Sequence, residues 1–313
     1  MQTVRELSEL FSIYTDNPLP HWYYKVLNYQ GDLMEKYEKT GYLEHDFKMF
    51  HLIQSEKKEF DYHYHDFDKI MILIKGDVTY HIEGRSYTLK PFDVVFVNAG
   101  EVHKPVIEKS NVYERIIIYI SPDYLASFKD KEGDLAQCFR HAKSNNSHIL
   151  RIDFFQKSNV YDVLMRLEKT LSSEGFANAL YGRLLFLEFM IELNRAAIDK
   201  HVNYIETETS NKKIIELIDY IMNHLTEELS IDMLAKQFFM SKYYLMHAFK
   251  DETGYTIGNY IATKRLLLAR NLIEDGMSVT DACYACGYQN YSTFSRAYKK
   301  QFHSSAKEHV RKH

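Results

Sequence analysis

The sequence predicts a multidomain α+β protein: a small β-barrel or jelly roll, a helical segment, then an all-α domain with a tandem helix-turn-helix. Three observations predict it. Between residues 47 and 120, short β-branched and aromatic runs are separated by Gly76, Gly84, Pro91-Phe92-Asp93 and Gly100. Strands at such short, regular spacing fold as a barrel or jelly roll, which hides their edges. Residues 158–198 carry apolar side chains at helical spacing. Residues 212–313 read as helix almost throughout and contain an internal repeat. A length of 313 residues agrees with about two domains.

Composition narrows the class. Hydrophobic residues make up 45% and charged residues 26%, as in an ordinary globular protein. Three cysteines cannot build a disulfide framework, which suits a reducing compartment and predicts a cytoplasmic protein. Met1 to Leu10 lacks the basic start and apolar run of a signal peptide, and the apolar runs at 70–74 and 184–191 are too short to span a bilayer. No membrane partner is expected. Charge is uneven: residues 212–313 hold 14 Lys+Arg against 11 Asp+Glu, a balance of +3, while residues 1–211 carry −7. Alone, this is a weak pointer to nucleic acid.

Thr3 and Glu6 form a capping box before Leu7, Leu10 and Phe11. Trp22, Tyr23 and Tyr24 follow as core or lid aromatics. "TYHIEGRSYTL" reads as a hairpin turning at Glu83-Gly84. Ser121-Pro122-Asp123 starts a helix, with proline near its first position. Val160, Leu164, Leu167 and Leu171 form one helical stripe, and Leu180, Leu184, Leu187 and Ile191 a second. Leu185, Phe186, Phe189 and Met190 lie off that second stripe, so its helix needs two partners. Its second partner is either its own domain or another copy of the chain. The polar stretch 199–211 reads as a linker. The expected divisions are therefore 1–120 (β-rich, with an N-terminal arm), 121–198 (helical), 199–211 (linker) and 212–313 (all-helical).

Within the last division, residues 229–250 and 277–299 resemble each other. Ser230 matches Ser278, Leu234 matches Ala282 and Ala235 matches Cys283. Beyond a turn, Leu245 matches Phe294, Phe249 matches Tyr298 and Lys250 matches Lys299. A short helix with a small central residue, a tight turn and a second helix make a helix-turn-helix unit. The second helices present Lys242, Tyr243, Met246 and His247, and Asn290, Tyr291, Ser292, Thr293, Arg296 and Lys299. Hydroxyl, amide and guanidinium groups can read base edges, and lysines suit phosphates. Cys283 and Cys286 lack a second ligand pair and read as small buried fillers.

These stretches, "LAKQFFMSKYYLMHAFKDETG", "IGNYIATKRLLLARNLIEDG", "SVTDACYACGYQNYSTFSRAYKKQF" and "AKEHVRK", resemble the AraC family of transcription regulators over about 100 residues. The resemblance implies two recognition helices set in successive major-groove turns. Tyr243, Met246 and His247 would face bases from the first, and Tyr291, Ser292, Thr293 and Arg296 from the second. Phe239 and His303 stand where the family favours glycine, and Ala306 where it favours proline.

"HYHDFDK" (63–69) raises a separate question. His63 and His65 are two apart, so on a strand both imidazoles can reach one ion. With a regulator's DNA-binding domain attached, the β-rich segment resembles the cupin-like sensor domains of such proteins. That resemblance places His63, His65 and His103 where metal-binding cupins put imidazoles. The glutamate expected four residues after His65 is Lys69, a cation. The favoured reading is an organic effector pocket formed by His63, His65, Lys69 and His103, with no metal, no cofactor and no enzymatic activity. A three-histidine zinc site and plainly structural histidines stay open beside it. Expected partners are double-stranded promoter DNA, a small-molecule effector (a sugar or related metabolite), a second copy of the chain, and RNA polymerase if the protein activates. The competing readings are a metal-dependent cupin enzyme fused to a DNA-binding domain, and a ligand-independent dimeric regulator.

Overall fold

The strands form two stacked antiparallel sheets rather than one closed ring. The structure is a computed structural model that describes residues 43, 45–54, 59–108, 112–131, 133–199, 202–209 and 211–310. The capping box at Thr3 and the aromatic run Trp22–Tyr24 lie outside the described residues.

The larger sheet has six strands in the order β1-β7-β2-β5-β8-β9. These are β1 (Phe47–Gln54), β2 (Asp68–Lys75), β5 (Val94–Val97), β7 (Tyr113–Ile120), β8 (Ile149–Ile152) and β9 (Val202–Tyr204). The smaller sheet is β4-β3-β6, from β3 (Val78–Ile82), β4 (Arg85–Thr88) and β6 (His103–Ile107). β2 and β7 are central, so "DKIMILIK" and "YERIIIYI" are largely buried on both faces. The β3–β4 hairpin turns at Glu83-Gly84, with Ile82 opposite Arg85 and both turn residues at positive φ (48° and 72°). That is the geometry a two-residue hairpin needs.

Each face of the large sheet has its own core. Met71, Leu73, Val95, Val97 and Ile117 face the small sheet's Val78, Tyr80, Ile82 and Tyr87. Ile70, Ile72, Phe96, Ile116 and Ile118 face outward under helices. Those helices are α1 (Pro122–Ala126), α2 (Gln137–Ser144), α3 (Asn159–Leu171) and α4 (Asn178–Ala197). Ser121 caps α1, and Ser158 caps α3.

α4 buries Leu185, Phe186, Phe189, Met190 and Leu193 on the sheet. The Leu180–Leu184–Ile191 stripe is 40–55% exposed, joined by Leu171 at 44%. Among the described residues of its own domain, none encloses this second face. Residues 199–211, read as a linker from their polarity, carry β9, which pairs antiparallel with β8. Beyond it, Ser86 N donates to Thr207 Oγ1 (3.1 Å) and Glu208 N to Ser86 O (2.8 Å), laying the chain along β4.

The C-terminal region is helical: α5 (Lys212–Asn223), α6 (Ile231–Gln237), α7 (Lys242–Thr253), α8 (Ile257–Glu274), α9 (Val279–Ala285), α10 (Tyr291–Phe302) and α11 (Ala306–Val310). Among the described residues, no helix is long and apolar enough to cross a membrane.

Candidate DNA interface and ligand site

The internal repeat folds as two matching units, α6–α7 and α9–α10, joined by α8. Equivalent residues do equivalent work. Ser230 and Ser278 cap the first helices by accepting from Met233 N (3.2 Å) and Asp281 N (3.1 Å). Ser241 and Asn290 cap the second by accepting from Tyr244 N (3.2 Å) and Thr293 N (3.0 Å). Leu245 and Phe249 in one unit, and Phe294 and Tyr298 in the other, are fully buried. Cys283 and Cys286 are buried free thiols, and Cys286 Sγ donates to Cys283 O at 3.2 Å.

The residues expected to meet DNA lie on the second helix of each unit or at its N-cap. Lys242, Tyr243, Met246 and His247 are exposed, Tyr243 by 74%. Asn290, Ser292, Thr293, Arg296 and Lys299 are exposed as well, and Tyr291 is half-buried. Several are pre-positioned. His247 Nδ1 donates to Tyr243 O at 2.8 Å, Arg296 Nε donates to Ser292 O at 3.3 Å, and Lys242 pairs with Asp232. Holding a long side chain before binding lowers its ordering cost.

The second site lies between the two sheets. His63 and His103 exchange backbone hydrogen bonds (3.1 and 2.8 Å), which brings segment 63–65 to the edge of β6. The ligating atoms of His63, His65 and His103 then fall within 4.8 Å of one another. The register of β2 is unbroken from Asp68 to Leu73, so Lys69 shares the inward face with Met71 and Leu73. Its Nζ donates to Tyr80 OH (3.0 Å) and to His103 Nε2 (3.2 Å). All four expected pocket residues thus converge.

The protonation pattern follows from geometry. His63 Nδ1 donates to Asp61 O and His103 Nδ1 to Glu101 O, leaving each Nε2 as an acceptor. Burial, then the Lys69 charge, lowers His63 to about 4 and His103 well below its ordinary value. Neutral imidazoles could in principle ligate a metal. Here the residues do not fit one. The lone pair of His103 Nε2 is engaged by Lys69 Nζ, and an amine stands where a carboxylate would balance a cation.

Sequence reasoning missed a third set of residues, joining this site to the helices. Along the extended segment 62–66, side chains alternate. His63 and His65 belong to the cluster. Tyr62 OH donates to Glu252 O at the end of α7 (3.1 Å), Gln301 of α10 donates to Tyr64 OH, and Asp66 pairs with Arg270 of α8 (2.8 Å). Tyr255 OH also donates to Tyr62 O at 3.0 Å. From the hairpin turn, Glu83 accepts from Tyr260 OH and from Lys264 Nζ (2.6 Å). Lys264 Nζ also donates to Gly100 O (2.8 Å), and Arg85 pairs with Asp219 of α5 (2.9 Å). The alternation of tyrosines with histidines in "YHYHD" was the available signal.

A β-sandwich holding a converged polar cluster, tied to paired helix-turn-helix units, defines a transcription regulator with a ligand-binding domain and a DNA-binding domain. The family models agree. The AraC-like ligand binding domain matches residues 49–190, and a helix-turn-helix domain matches residues 234–312. The chain belongs to the AraC family of transcription regulators. It is 26% identical over 257 residues to the HTH-type transcriptional activator RhaS of Shigella sonnei, covering 80% of this chain and 87% of that protein. To the RhaS of an Escherichia coli strain it is 25% identical over 251 residues, with the same coverages of 80% and 87%. Among solved structures it resembles ToxT from Vibrio cholerae (13% identical, TM-score 0.34, covering 85% of this chain and 98% of that one). It also resembles the DNA-binding domain of AdpA in complex with a target DNA (24% identical, TM-score 0.30, covering 31% and 88%). The relatives are regulators, which disfavours the cupin-enzyme reading.

Proposed function

We propose that this chain is a cytoplasmic, effector-controlled regulator that binds promoter DNA as a homodimer. Residues 1–120 hold the effector at His63, His65, Lys69 and His103. Residues 121–198 dimerise through the open Leu180–Leu184–Ile191 face of α4, to which a second copy would offer the same apolar stripe. Residues 199–211 connect to the DNA-binding domain, 212–313. There Tyr243, Met246, His247, Tyr291, Ser292, Thr293 and Arg296 meet bases, while Lys242, Asn290 and Lys299 hold the backbone. As an activator, like its RhaS relatives, it would also engage RNA polymerase.

The observation that carries this reading is the two-faced segment 62–66. One face forms the histidine cluster, and the other grips α7, α8 and α10. A ligand that displaces His63 or His65 must therefore strain or relieve the grip on both helix-turn-helix units. It can shift that balance only by its differential affinity for the two arrangements.

Fluorescence anisotropy on the promoter region beside its own gene tests the DNA-reading half. Arg296→Ala should weaken binding about tenfold or more, since a bidentate arginine–guanine contact discriminates by roughly 1–3 kcal/mol. Unchanged affinity would remove Arg296 from the base-reading set.

A further inference from the structure

The sandwich interior contains two cations that no described carboxylate balances. Lys69 on β2 is 5% exposed and Arg115 on the neighbouring β7 is 8% exposed. Both point between the sheets, as the inward neighbours Met71 and Ile117 on the same strands do. Their contacts are neutral. Lys69 reaches Tyr80 OH and His103 Nε2, while Arg115 donates to Tyr113 O (3.2 Å) and lies 4.0 Å above the Tyr113 ring.

The carboxylates nearby are engaged elsewhere. Asp66 holds Arg270, Glu83 holds Lys264, Glu101 faces His148 at 3.5 Å and Asp68 accepts from Ala99 N. Glu114, next to Arg115 in sequence, points to the opposite face and holds His51 at 2.9 Å. Among the described residues neither cation makes an ion pair. Buried charge is ordinarily paired, because taking it out of water unpaired is costly. Two such charges on adjacent strands also repel each other, and that repulsion adds to burial in lowering the Lys69 pKa.

We infer that the sandwich interior is an anion site, and that the effector carries a carboxylate or phosphate group held between Lys69 and Arg115. The inference rests on reading this interior as the effector site, and it names the ligand's chemistry. The ammonium supplies a compact charge where a cupin would hold a metal, and the guanidinium supplies a fork suited to two oxygens. Around them, the hydroxyls of Tyr80, Tyr113 and Tyr119 can donate to and accept from a hydroxylated body, and the Nε2 of the neutral His63 can accept from it. A sugar acid or a sugar phosphate has this mixture; a neutral sugar leaves both cations uncompensated.

Thermal unfolding of the full chain at constant ionic strength tests it, with millimolar inorganic phosphate, gluconate, a glucose phosphate and glucose as probes. The charged probes should raise Tm by several degrees and glucose should not. Lys69→Gln and Arg115→Gln should each weaken the apparent affinity for the charged probes tenfold or more. A response to gluconate alone or to the phosphates alone would name the source of the anion. Equal responses to glucose and gluconate would overturn the inference, and so would an anion response that survives both substitutions. No response to any anion, inorganic phosphate included, would also overturn it. The comparison of charged with neutral probes needs only the unaltered chain, so it stands if a variant misfolds. A glucose response abolished by His103→Ala would keep the effector site and reject the anion. Anion binding at Lys69 and Arg115 that leaves promoter binding unchanged would reject the effector reading alone.

Discussion

Burial, reinforced by the Arg115 charge, pulls the Lys69 ammonium down to about 7, whereas a lysine in an unfolded chain titrates near ~10.4. Between those values the unfolded chain keeps a proton that the folded chain has released, so stability must rise with pH. The contribution is complete above the unfolded value and is lost as pH falls through about 7. Equilibrium denaturation of the ligand-free protein should therefore show a gain from neutral to alkaline pH that Lys69→Met abolishes; an identical slope in that variant would mean that Lys69 is not the titrating group. At this scale the site was partly legible. His63, His65 and His103 converge as their spacing and the cupin resemblance implied. Arg115 was missed, although Tyr113, Arg115, Ile117 and Tyr119 alternate along β7 and put it on the inward face. In "YERIIIYI" a run apolar on both faces masked the alternation, because the strand is covered on both sides.

The helix-turn-helix units show what elements require of their turns. The first unit turns at Phe239 with φ 52°, and α10 ends at His303 with φ 57°. Both are left-handed conformations that L side chains adopt at a cost of roughly 1–2 kcal/mol, which explains why glycine is favoured there. At the second unit's turn, Gly287 has φ 91°, and a Cβ there would sit 2.9 Å from Thr226 O. Phe239 gains no burial in return, being 93% exposed. Phe239→Gly should thus stabilise the protein by roughly 1 kcal/mol, the relieved strain exceeding glycine's entropy cost. Denaturant titration checks this, and a loss of stability would show that the phenyl ring contributes a contact of its own. The repeat itself was legible because each position is constrained twice, once in each unit. The buried face of α4 was not, because apolar residues surround the helix and periodicity cannot say which side meets the sheet. β9 escaped because three residues are too few to show a period; pairing with β8, not propensity, makes them a strand.

Across the whole molecule, the sandwich and the DNA-binding helices meet through polar and small-residue contacts of the kind that can release into water. Gly84 and Gly100 let backbones approach helices closely: a Cβ at either would lie 2.7 Å from Ile218 Cδ1 or 2.9 Å from Leu267 Cδ1. Between them Glu83 and Lys264 form a pair whose side chains are 8% and 7% exposed. Glu83 Oε1 also accepts from Val102 N (2.7 Å), next to His103, so the pair is one backbone step from the ligand cluster. No local pattern could have announced this contact, since its partners lie 181 positions apart in the chain. Both side chains are well hydrated when the halves separate, so the pair favours docking only while its geometry is complete. Lys264→Met leaves the Glu83 carboxylate buried without its cation, a change that typically costs about 3–5 kcal/mol. The docked arrangement should yield to an open one, read as faster hydrogen exchange across 83–85 and 257–274 and as separate unfolding transitions for the two halves. Adding Glu83→Leu removes the stranded charge and should restore much of the docking, because an apolar pair of similar volume is often neutral in such a position. Equal disruption by the single and double variants would mean that packing at the glycines, rather than the buried ion pair, holds the two halves together.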